Sequence, residues 1–379
     1  MLIKYIQTHP IPYQSPMIKY LIKKKINLKV LYRSDVSMRK FYDEDFESII
    51  KWDTKLLDGV KHEFLDYIGP SKVNSIYPIT TDFVEKIFDN KTTIIWIHGL
   101  KNWYNLILIF LAKIFKKKIF VRDEVSENSK KRSFFNRIFN SLFYRIIDNF
   151  IDVYLAIGKQ NKKYYLNQNI DKKKIVLVPY VVDNNFFYVK KRIKKNKKLT
   201  YLFAAKLKKR KGCDLLLEAI NLIKNKKFCS NTKFIIAGEG KMKNEIKNYI
   251  KKNKLDNVSL LPFQTHFQLK KLYHKADVFI MPSIKEPWGL TINEAMCSEN
   301  AIICSNKVGS SSDLVFNNYN GYIFSSNDEI DLSKKILKIY QNKKKIKKFK
   351  SNSKKIISKW NFEKCYVGLI KAIRLSKKN

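Results

Sequence analysis

Short apolar segments alternate with helix-forming segments along most of the chain, and this alternation constrains the fold more than any other feature. In the C-terminal half the predicted strands are LTYLFAA (199–205), TKFIIAG (232–238), VSLLP (258–262), DVFIMPS (277–283), AIICS (301–305) and GYIF (321–324). The segments between them, such as CDLLLEAINLIKN, have helical periodicity. Short strands that alternate with helices predict a parallel, doubly wound α/β sheet.

The N-terminal half repeats this alternation less regularly. Its predicted strands are LIKYIQ (2–7), LKVLYRS (28–34), TIIWIHG (93–99), KIFVRDE (118–124), VYLAIG (153–158) and KIVLVPY (174–180). A chain of 379 residues is long for one hydrophobic core and suits two domains. The polar segment VKKRIKKNKK (189–198) is typical of a linker. We therefore predict two Rossmann-like domains, residues 1–190 and 195–360, and we expect a last helix, about 361–379, to pack back on the first domain.

Composition and charge exclude several classes of protein. Hydrophobic residues make up 45% of the chain, which excludes intrinsic disorder, and the five cysteines are scattered, which predicts reduced thiols and no zinc site. The longest apolar run, LILIFLA (106–112), is far shorter than the ~20 residues of a membrane-spanning helix. The start of the chain has no apolar run of signal-peptide length. These features predict a cytoplasmic protein.

The net charge of +43 suggests a polyanion as partner, and nucleic-acid binding is one hypothesis. However, the lysines are spread over every predicted helix and form no single patch. We attribute the charge mainly to a general bias in composition and expect no specific nucleic-acid partner. Attraction to an anionic surface is then a secondary consequence.

The segment EPWGLTINEAM (286–296) follows a predicted strand and contains two glutamates with seven residues between them. Because glycine and proline interrupt any earlier period, the helix is predicted to begin near Leu290 or Thr291. The free N–H groups of a helix start can bind a phosphate, and Gly289 permits close backbone approach. Glu294, expected in the first turn, could accept hydrogen bonds from two neighbouring hydroxyls, while Glu286 reaches another part of the same ligand.

A structural interpretation of Glu294 is equally open. Thr291 and Glu294 stand three residues apart, which is the spacing of a capping box that would only hold the start of the helix. That interpretation leaves Glu286, Trp288 and Gly289 unexplained.

Two other turns between a strand and a helix contain candidate phosphate-binding residues. In AAKLKKRKGCDLLLEA (204–219), Lys206 and Lys211 could reach a diphosphate, although a solvated basic turn is the ordinary interpretation. In IIAGEGKMKNEI, Gly238 and Gly240 form a G-x-G pattern, which is a weak signal alone.

These segments, taken in order, resemble those of the family 4 glycosyltransferases of the GT-B fold, a large retaining family within glycosyl transferases group 1. The matching series is K-L-x-x-x-K-G (206–212), AGEG (237–240), LKKLYHKADVFIMPS (269–283), EPWGLTINEAM and VGSSSDLVFNNYNGYIF (308–324). The resemblance covers nearly all of residues 199–330 and is weaker in the first half. It implies two Rossmann-like domains that face a central cleft.

The resemblance also implies an activity and a set of residue roles. The reaction would move a sugar from a nucleotide diphosphate donor to a glycan or lipid-linked acceptor with retention, in cell-surface polysaccharide or lipopolysaccharide synthesis, and without a cofactor or a required metal. Glu294 would hold the donor ribose, and Glu286 would contact the transferred sugar or its phosphate. The other donor-binding residues implied are Lys206, Lys211, Trp288, Gly289, Leu290 and Gly238.

Two departures from the family pattern stand out. The position of Lys206 is usually arginine, so the bidentate fork on phosphate is lost. CSENAII (297–303) replaces a small glycine-proline turn. Neither departure removes a required charge, and we expect an active enzyme. A catalytically idle relative that acts as a binding partner is the alternative.

In the first half, His98 is the candidate for an acceptor-side catalytic role, because it ends a predicted strand and precedes Gly99. It could polarise a hydroxyl or bond the transferred sugar. A histidine that simply completes a strand is nearly as well supported. Arg122, Asp123 and Glu124 end the next strand and are weaker candidates.

The segment RSFFNRIFNSLFYRII (132–147) has apolar residues along one helical stripe with arginines beside it. We favour a core helix that covers the first sheet. The alternative is an amphipathic surface that rests on anionic lipid, which would make the protein peripheral on the cytoplasmic face of a membrane.

Overall fold

The computed structural model describes residues 1–71, 77–100, 102–126, 134–189 and 198–377, so most of the predicted linker lies outside the described residues. The chain divides into two compact units. The first unit comprises Met1–Phe41, Thr54–Asp183 and Asn361–Asn379, and the second comprises Tyr42–Asp53 and Asn184–Trp360. Residues 42–53, which the sequence placed in the first domain, therefore belong to the second unit.

The elements follow one another in the predicted alternation over most of the chain. The strands are β1 (Leu2–Gln7), β2 (Leu28–Tyr32), β3 (Phe41–Asp43), β4 (Ser48–Ile50), β5 (His62–Phe64), β6 (Tyr67–Ile68), β7 (Ile79–Thr80), β8 (Thr92–His98), β9 (Lys118–Arg122), β10 (Val153–Ala156), β11 (Ile175–Leu177), β12 (Leu199–Ala204), β13 (Thr232–Ala237), β14 (Val258–Leu261), β15 (Val278–Met281), β16 (Ala301–Ser305) and β17 (Gly321–Phe324). The helices are α1 (Ser15–Lys23), α2 (Phe83–Ile87), α3 (Trp103–Ile114), α4 (Phe134–Ile147), α5 (Lys159–Leu166), α6 (Asn184–Phe187), α7 (Cys213–Ile223), α8 (Lys226–Asn231), α9 (Lys243–Lys252), α10 (His266–Lys275), α11 (Leu290–Cys297), α12 (Ser311–Leu314), α13 (Glu329–Gln341), α14 (Lys343–Ile357) and α15 (Phe362–Ser376).

The first unit is built on a parallel sheet with the strand order β11-β10-β9-β8-β1-β2-β5 among the described residues. Its central strands are buried on both faces, as helices on both sides of a parallel sheet require. The strand order reverses between β1 and β8, and ligands of such sheets bind at the carboxyl ends of the strands at that point. His98 is the last residue of β8 and therefore lies at this edge.

The second unit has a parallel sheet with the order β14-β13-β12-β15-β16-β17. All of β16 is buried, and Tyr201 of β12 stacks on Phe234 of β13 at 4.6 Å between ring centroids. The order reverses between β12 and β15, so this pair of strands forms the switch point of the second sheet. The prediction of two Rossmann-like α/β domains is confirmed.

The last helix, α15, packs in the first unit against β11. A Cβ atom on Gly368 would lie 2.2 Å from the carbonyl oxygen of Leu177, so only glycine permits the helix to approach the strand this closely. One turn earlier, the Cys365 thiol donates a hydrogen bond to the carbonyl of Pro179 at 2.9 Å.

Helix α4 differs from the core helix that the sequence favoured. Phe135 and Phe139 are each 76% exposed, and Ile138, Leu142 and Ile146 are also exposed. Only the side that carries Asn140 and Tyr144 is buried. Most of the apolar stripe therefore faces solvent, while Tyr144, Phe143 and Ile147 make the contact with the core of the first unit. Within the described residues, no helix combines the length and apolar character needed to cross a membrane.

The exposure of α4 predicts how its residues contribute to stability. The double variant Phe135→Ser/Phe139→Ser should unfold within about 0.5 kcal/mol of the wild type, since exposed side chains contribute little. Tyr144→Ser, on the buried side of the same helix, should cost about 3 kcal/mol or more. Urea unfolding followed by circular dichroism measures both. A large loss in the double variant would show that α4 is a core helix after all.

Candidate functional site

The basic turn of the second unit follows β12 and packs against the end of β15. Residues Lys209–Lys211 form a 3-10 turn, and Gly212 adopts a left-handed conformation with φ of 72°. A Cβ atom on Gly212 would lie 2.2 Å from the carbonyl oxygen of Pro282. The glycine therefore allows the turn to contact the loop that begins after β15, which places both segments at the switch point.

Lys211 and Glu286 form an ion pair at this point. Their side chains are only 13% and 11% exposed. Breaking a pair of charges with so little solvent contact is costly, because the remaining charge has no partner. The ammonium and the carboxylate predicted separately from the sequence are thus brought together in one polar centre.

Lys206 is paired with two carboxylates that the sequence analysis did not identify. Its ammonium lies 3.1 Å from Asp43 Oδ1 and 3.3 Å from Asp45 Oδ2, and Asp45 also pairs with Lys208. Partial burial would raise the pKa of Asp45, but Lys208 and Lys206 lower it below its usual value. Because Asp43 and Asp45 are more than 160 residues from their partners, no local sequence pattern indicated them.

The loop between the two glutamates has the backbone geometry that the sequence predicted. Helix α11 begins at Leu290, after Gly289 with φ of 94°. A Cβ atom on Gly289 would lie 2.8 Å from Met281 Sδ, so a larger residue would be strained there. The first turn of α11 thus offers the N–H groups of an anion site at the carboxyl edge of the sheet.

Trp288 lies in the core of the second unit. Its ring is 3% exposed, stacks on Trp360 at 5.7 Å, and donates a hydrogen bond from Nε1 to Asn293 Oδ1 at 3.1 Å. The side chain fixes the loop, so only the main chain of Trp288 remains as a candidate for ligand contact.

The sequence predicted that Glu294 lies in the first turn of α11. In the structure it is the fifth residue of the helix. Its carboxyl is buried and accepts a hydrogen bond from Tyr273 Oη at 2.8 Å. Burial raises the pKa of Glu294 from its ordinary value of 4.5 to about 7, and the Tyr273 hydrogen bond opposes this only in part.

The capping-box interpretation of Thr291 and Glu294 is wrong. The N-cap of α11 is Gly289, which makes no side-chain cap. Thr291 Oγ1 is buried without a hydrogen-bond partner among the residues that the structure describes. Glu294 is therefore a buried acid within the helix and does not cap its start.

A pocket of about 150 Å³ lies beside these residues in the second unit. Gly238, with φ of 157°, lines it and is held against Ala205, whose carbonyl oxygen would lie 2.0 Å from an added Cβ. The other lining residues are Phe46, Trp52, Ala204, Ala205, Ala237, Phe263, Gln264, His266, Leu269 and Thr291. Most of these are apolar or aromatic, which suits a flat apolar group with a few polar edges.

His98 belongs to a polar cluster at the switch point of the first unit. Its Nε2 lies 3.1 Å from Tyr180 Oη, its Nδ1 lies 3.3 Å from Tyr5 Oη, and Tyr180 donates to Glu124 Oε1 at 2.6 Å. Burial alone would raise the pKa of Glu124, but His98 and Tyr180 lower it. The imidazole is thus held by partners on both nitrogens, which suits proton exchange as well as a structural role.

Arg122, the last residue of β9, and Asp123, which follows it, were the weaker candidates on the neighbouring strand. Arg122 is buried and donates to the carbonyls of Val178 and Pro179 at 3.3 and 2.9 Å, which indicates a structural residue. Burial raises the pKa of Asp123. Within the described residues, no group of three or more His, Cys, Asp or Glu side chains is placed to hold a metal ion.

Comparison with known protein families finds a match within the second unit. Residues 185–356 match the model of the family described as glycosyl transferases group 1. The matched region contains Lys206, Lys211, Glu286 and Glu294. These 172 residues, a little under half of the chain, are similar to that family.

Two curated relatives have moderate similarity to the chain. An uncharacterized glycosyltransferase of Methanocaldococcus jannaschii is 26% identical over 244 residues, which cover 62% of this chain and 63% of the relative. A GalNAc-alpha-(1->4)-GalNAc-alpha-(1->3)-diNAcBac-PP-undecaprenol alpha-1,4-N-acetyl-D-galactosaminyltransferase of Campylobacter jejuni is 26% identical over 232 residues, which cover 61% of this chain and 62% of the relative. Both matches span less than two thirds of the relative's own length.

Solved structures resemble the whole chain. A glycosyltransferase from Rickettsia africae has a TM-score of 0.75 with 15% identity, and the match covers 100% of this chain and 99% of that chain. Anabaena HepE in complex with UDP has a TM-score of 0.75 with 14% identity, over 99% and 100% of the two chains. At these identities the likeness establishes the GT-B fold.

The raised pKa of Glu294 predicts a pH dependence of stability. A carboxyl with a raised pKa stabilises the fold below pH 4.5, and this contribution is lost as the pH rises through 7. Relative to wild type, Glu294→Gln should gain stability between pH 5 and pH 8, by on the order of 2–3 kcal/mol. Chemical unfolding at both pH values measures the gain. Glu245→Gln, an exposed acid of the same unit, is the control, and equal behaviour of the two variants would contradict the prediction.

Proposed function

We propose that this chain, whose residues 185–356 are similar to glycosyl transferases group 1, is a hexosyltransferase that moves a sugar from a nucleotide diphosphate donor to a glycan or lipid-linked acceptor. We propose membership of the retaining family 4 and therefore retention at the anomeric carbon. The observation that carries the proposal is the ion pair of Lys211 and Glu286 at the switch point beside the start of α11, with Lys206 earlier in the segment that follows β12. HepE, which shares the fold, was solved with UDP, and this supports a nucleotide donor.

The donor diphosphate would bind between the basic turn and α11. Lys206 and Lys211 supply positive charge, while Gly289 and Leu290 present backbone N–H groups. In this structure Lys206 is paired with Asp43 and Asp45, and Lys211 with Glu286. The diphosphate would replace these carboxylates as partner of Lys206 and Lys211, while Asp45 keeps its pair with Lys208. Gly238 would allow close approach of the donor to the main chain.

The leaving group governs the chemistry of this reaction. The bond from the anomeric carbon to the diphosphate breaks, and a bond to the acceptor oxygen forms as the acceptor hydroxyl loses its proton. Negative charge develops on the diphosphate, and fixed ammonium groups stabilise that charge. Because lysines provide this charge, the proposal requires neither a metal nor a cofactor.

The two glutamates would have different tasks in this proposal. Glu286, released from Lys211 when the diphosphate binds, would contact the transferred sugar or its phosphate. Glu294 would accept hydrogen bonds from the donor ribose, and Tyr273 already donates to the same carboxyl. A pKa near 7 means that ribose binding to the ionised form should strengthen above neutral pH.

His98 would act on the acceptor side. Its contact with Tyr180, which also holds Glu124, offers a route for a proton from a hydroxyl, and the ring could equally bond the transferred sugar. Glu124, with its lowered pKa, would keep the imidazole oriented.

An anionic membrane is the proposed location of the reaction. Phe110 and Ile114 of α3 are exposed, as are Phe135, Phe139 and Ile146 of α4. We call these five residues the apolar face. Both helices contact the turn Asp148–Phe150, and the exposed Lys113, Lys116, Arg137 and Arg145 lie on or beside them. An apolar face with cations beside it suits the surface of anionic lipid.

This location agrees with a role in cell-surface polysaccharide or lipopolysaccharide synthesis at the cytoplasmic face of a membrane. The name of the Campylobacter jejuni relative describes transfer to an undecaprenol-linked glycan. We propose an acceptor of the same general class, a glycan or a lipid-linked glycan.

The first prediction from the proposed function concerns the basic turn. Lys211→Ala should lower kcat by roughly 10²-fold, because a fixed charge near the leaving group is lost. Lys209 is the matched control, since it is 73% exposed and paired only with Asp214 among the described residues, and Lys209→Ala should leave kcat unchanged. Transfer is measured with UDP-, GDP- and ADP-sugars after thermal unfolding has shown both variants to be folded.

Two outcomes would contradict the proposal. Equal, small effects in both variants would mean that the turn is only a solvated surface. Tight binding of a nucleoside diphosphate by a wild-type protein that transfers no sugar would indicate a catalytically idle binding protein.

The second prediction concerns the apolar face. Binding to vesicles with anionic lipid should keep a salt-resistant component, because burial of apolar groups is not screened as charge is. Phe135→Ser/Phe139→Ser should remove that component. Leu222→Ser/Ile330→Ser, which changes two exposed apolar residues in the second unit, is the control. Salt-resistant binding that survives the loss of both phenylalanines would exclude the apolar face as the membrane contact.

A further inference from the structure

Residues 42–53 lie far from the rest of the second unit in sequence, yet they contact it at several points. At one end Asp43 and Asp45 pair with Lys206 and Lys208. At the other end Asp53 accepts hydrogen bonds from the backbone N–H groups of His266 and Phe267 at 3.3 and 3.1 Å. The segment is therefore held at both ends.

Between these ends the segment contributes two rings to the 150 Å³ pocket. Phe46 meets Phe263 edge-on with centroids 5.0 Å apart, and Trp52 lies 5.9 Å from His266 and 6.3 Å from Phe263. Four aromatic residues thus line one small pocket. A cavity of this volume can hold a ring of benzene size.

Two polar atoms of the lining residues have no hydrogen-bond partner in the described part of the chain, but neither atom is exposed in the pocket. Trp52 Nε1 and Thr291 Oγ1 are both buried without a hydrogen-bond partner among the residues that the structure describes. The lining of the pocket, which is mostly aromatic and apolar, suits a flat aromatic ring.

We infer that residues 42–53 complete the nucleobase subsite of the donor, with Trp52 as a ring that positions the base. This inference rests on the proposed function. The pocket is lined by Gly238, which follows β13, and by Thr291, in the first turn of α11, so a base in the pocket would be adjacent to a diphosphate at the basic turn. Base specificity would then depend on a segment outside the family match at residues 185–356.

The experiment compares two ligands that share phosphates and differ in the base. UDP, GDP and ADP are first titrated against wild-type protein, and the tightest of them is compared with inorganic pyrophosphate. Trp52→Ala should weaken the nucleotide roughly 10- to 100-fold, because stacking on an aromatic ring contributes that much per base. Pyrophosphate binding should change by less than about twofold. Tyr42→Ala, which removes an exposed ring of the same segment, is the matched control and should change neither.

A conservative variant keeps the test decisive if Trp52→Ala fails to fold. Trp52→Phe should retain most nucleotide affinity but lose most of the change in tryptophan emission that the nucleotide causes in wild type. Equal losses for nucleotide and pyrophosphate in Trp52→Ala, unchanged nucleotide affinity in Trp52→Ala, or an emission change of undiminished size in Trp52→Phe would overturn the inference. A wild-type protein that binds none of the three nucleotides would instead refute the proposed function.

Discussion

The ion pair between Lys211 and Glu286 depends on a close backbone contact, and the arrangement of the proposed donor site depends on that pair. Gly212 lets the basic turn reach the carbonyl of Pro282, which side chains would prevent. Two charges with little access to water then stabilise each other, whereas either one alone would be costly to keep there. A ligand that takes Lys211 from Glu286 must offer an anion in return, and this requirement favours a diphosphate.

Charge compensation extends through the rest of the second unit's polar centre. Asp43 and Asp45 balance Lys206 and Lys208, while the buried Glu294 has only a neutral phenol as its described partner. Burial therefore raises the pKa of Glu294, whereas the lysines lower the pKa of Asp45. Glu294 and Asp45 thus differ in their protonation near neutral pH, and a bound ligand that adds charge would shift the pKa of both carboxyls.

Much of the fold could be predicted because its signals are local. Every predicted strand is present, and β1, β16 and β17 have the predicted limits, since buried parallel strands are short apolar runs between polar turns. The strands between residues 41 and 80 were missed. They are two or three residues long, and β5 has the sequence HEF, which carries no apolar period. The exposure of α4 was also missed, because an apolar stripe along a helix has the same period whether it faces the core or the solvent.

The sequence by itself determined the two α/β sheets and a start of α11 near Leu290 or Thr291. It also placed His98 at the end of a strand, and Lys206, Lys211 and Glu286 in the segments that follow strands. Periodicity and glycine positions encode these features within about ten residues. Only the tertiary structure decided what those side chains contact. It paired Lys206 with acids about 160 residues away, buried Glu294 against Tyr273, and assigned residues 42–53 to the second unit. Partners so distant along the chain meet only after the strands have been ordered into a sheet, and no local pattern records that order.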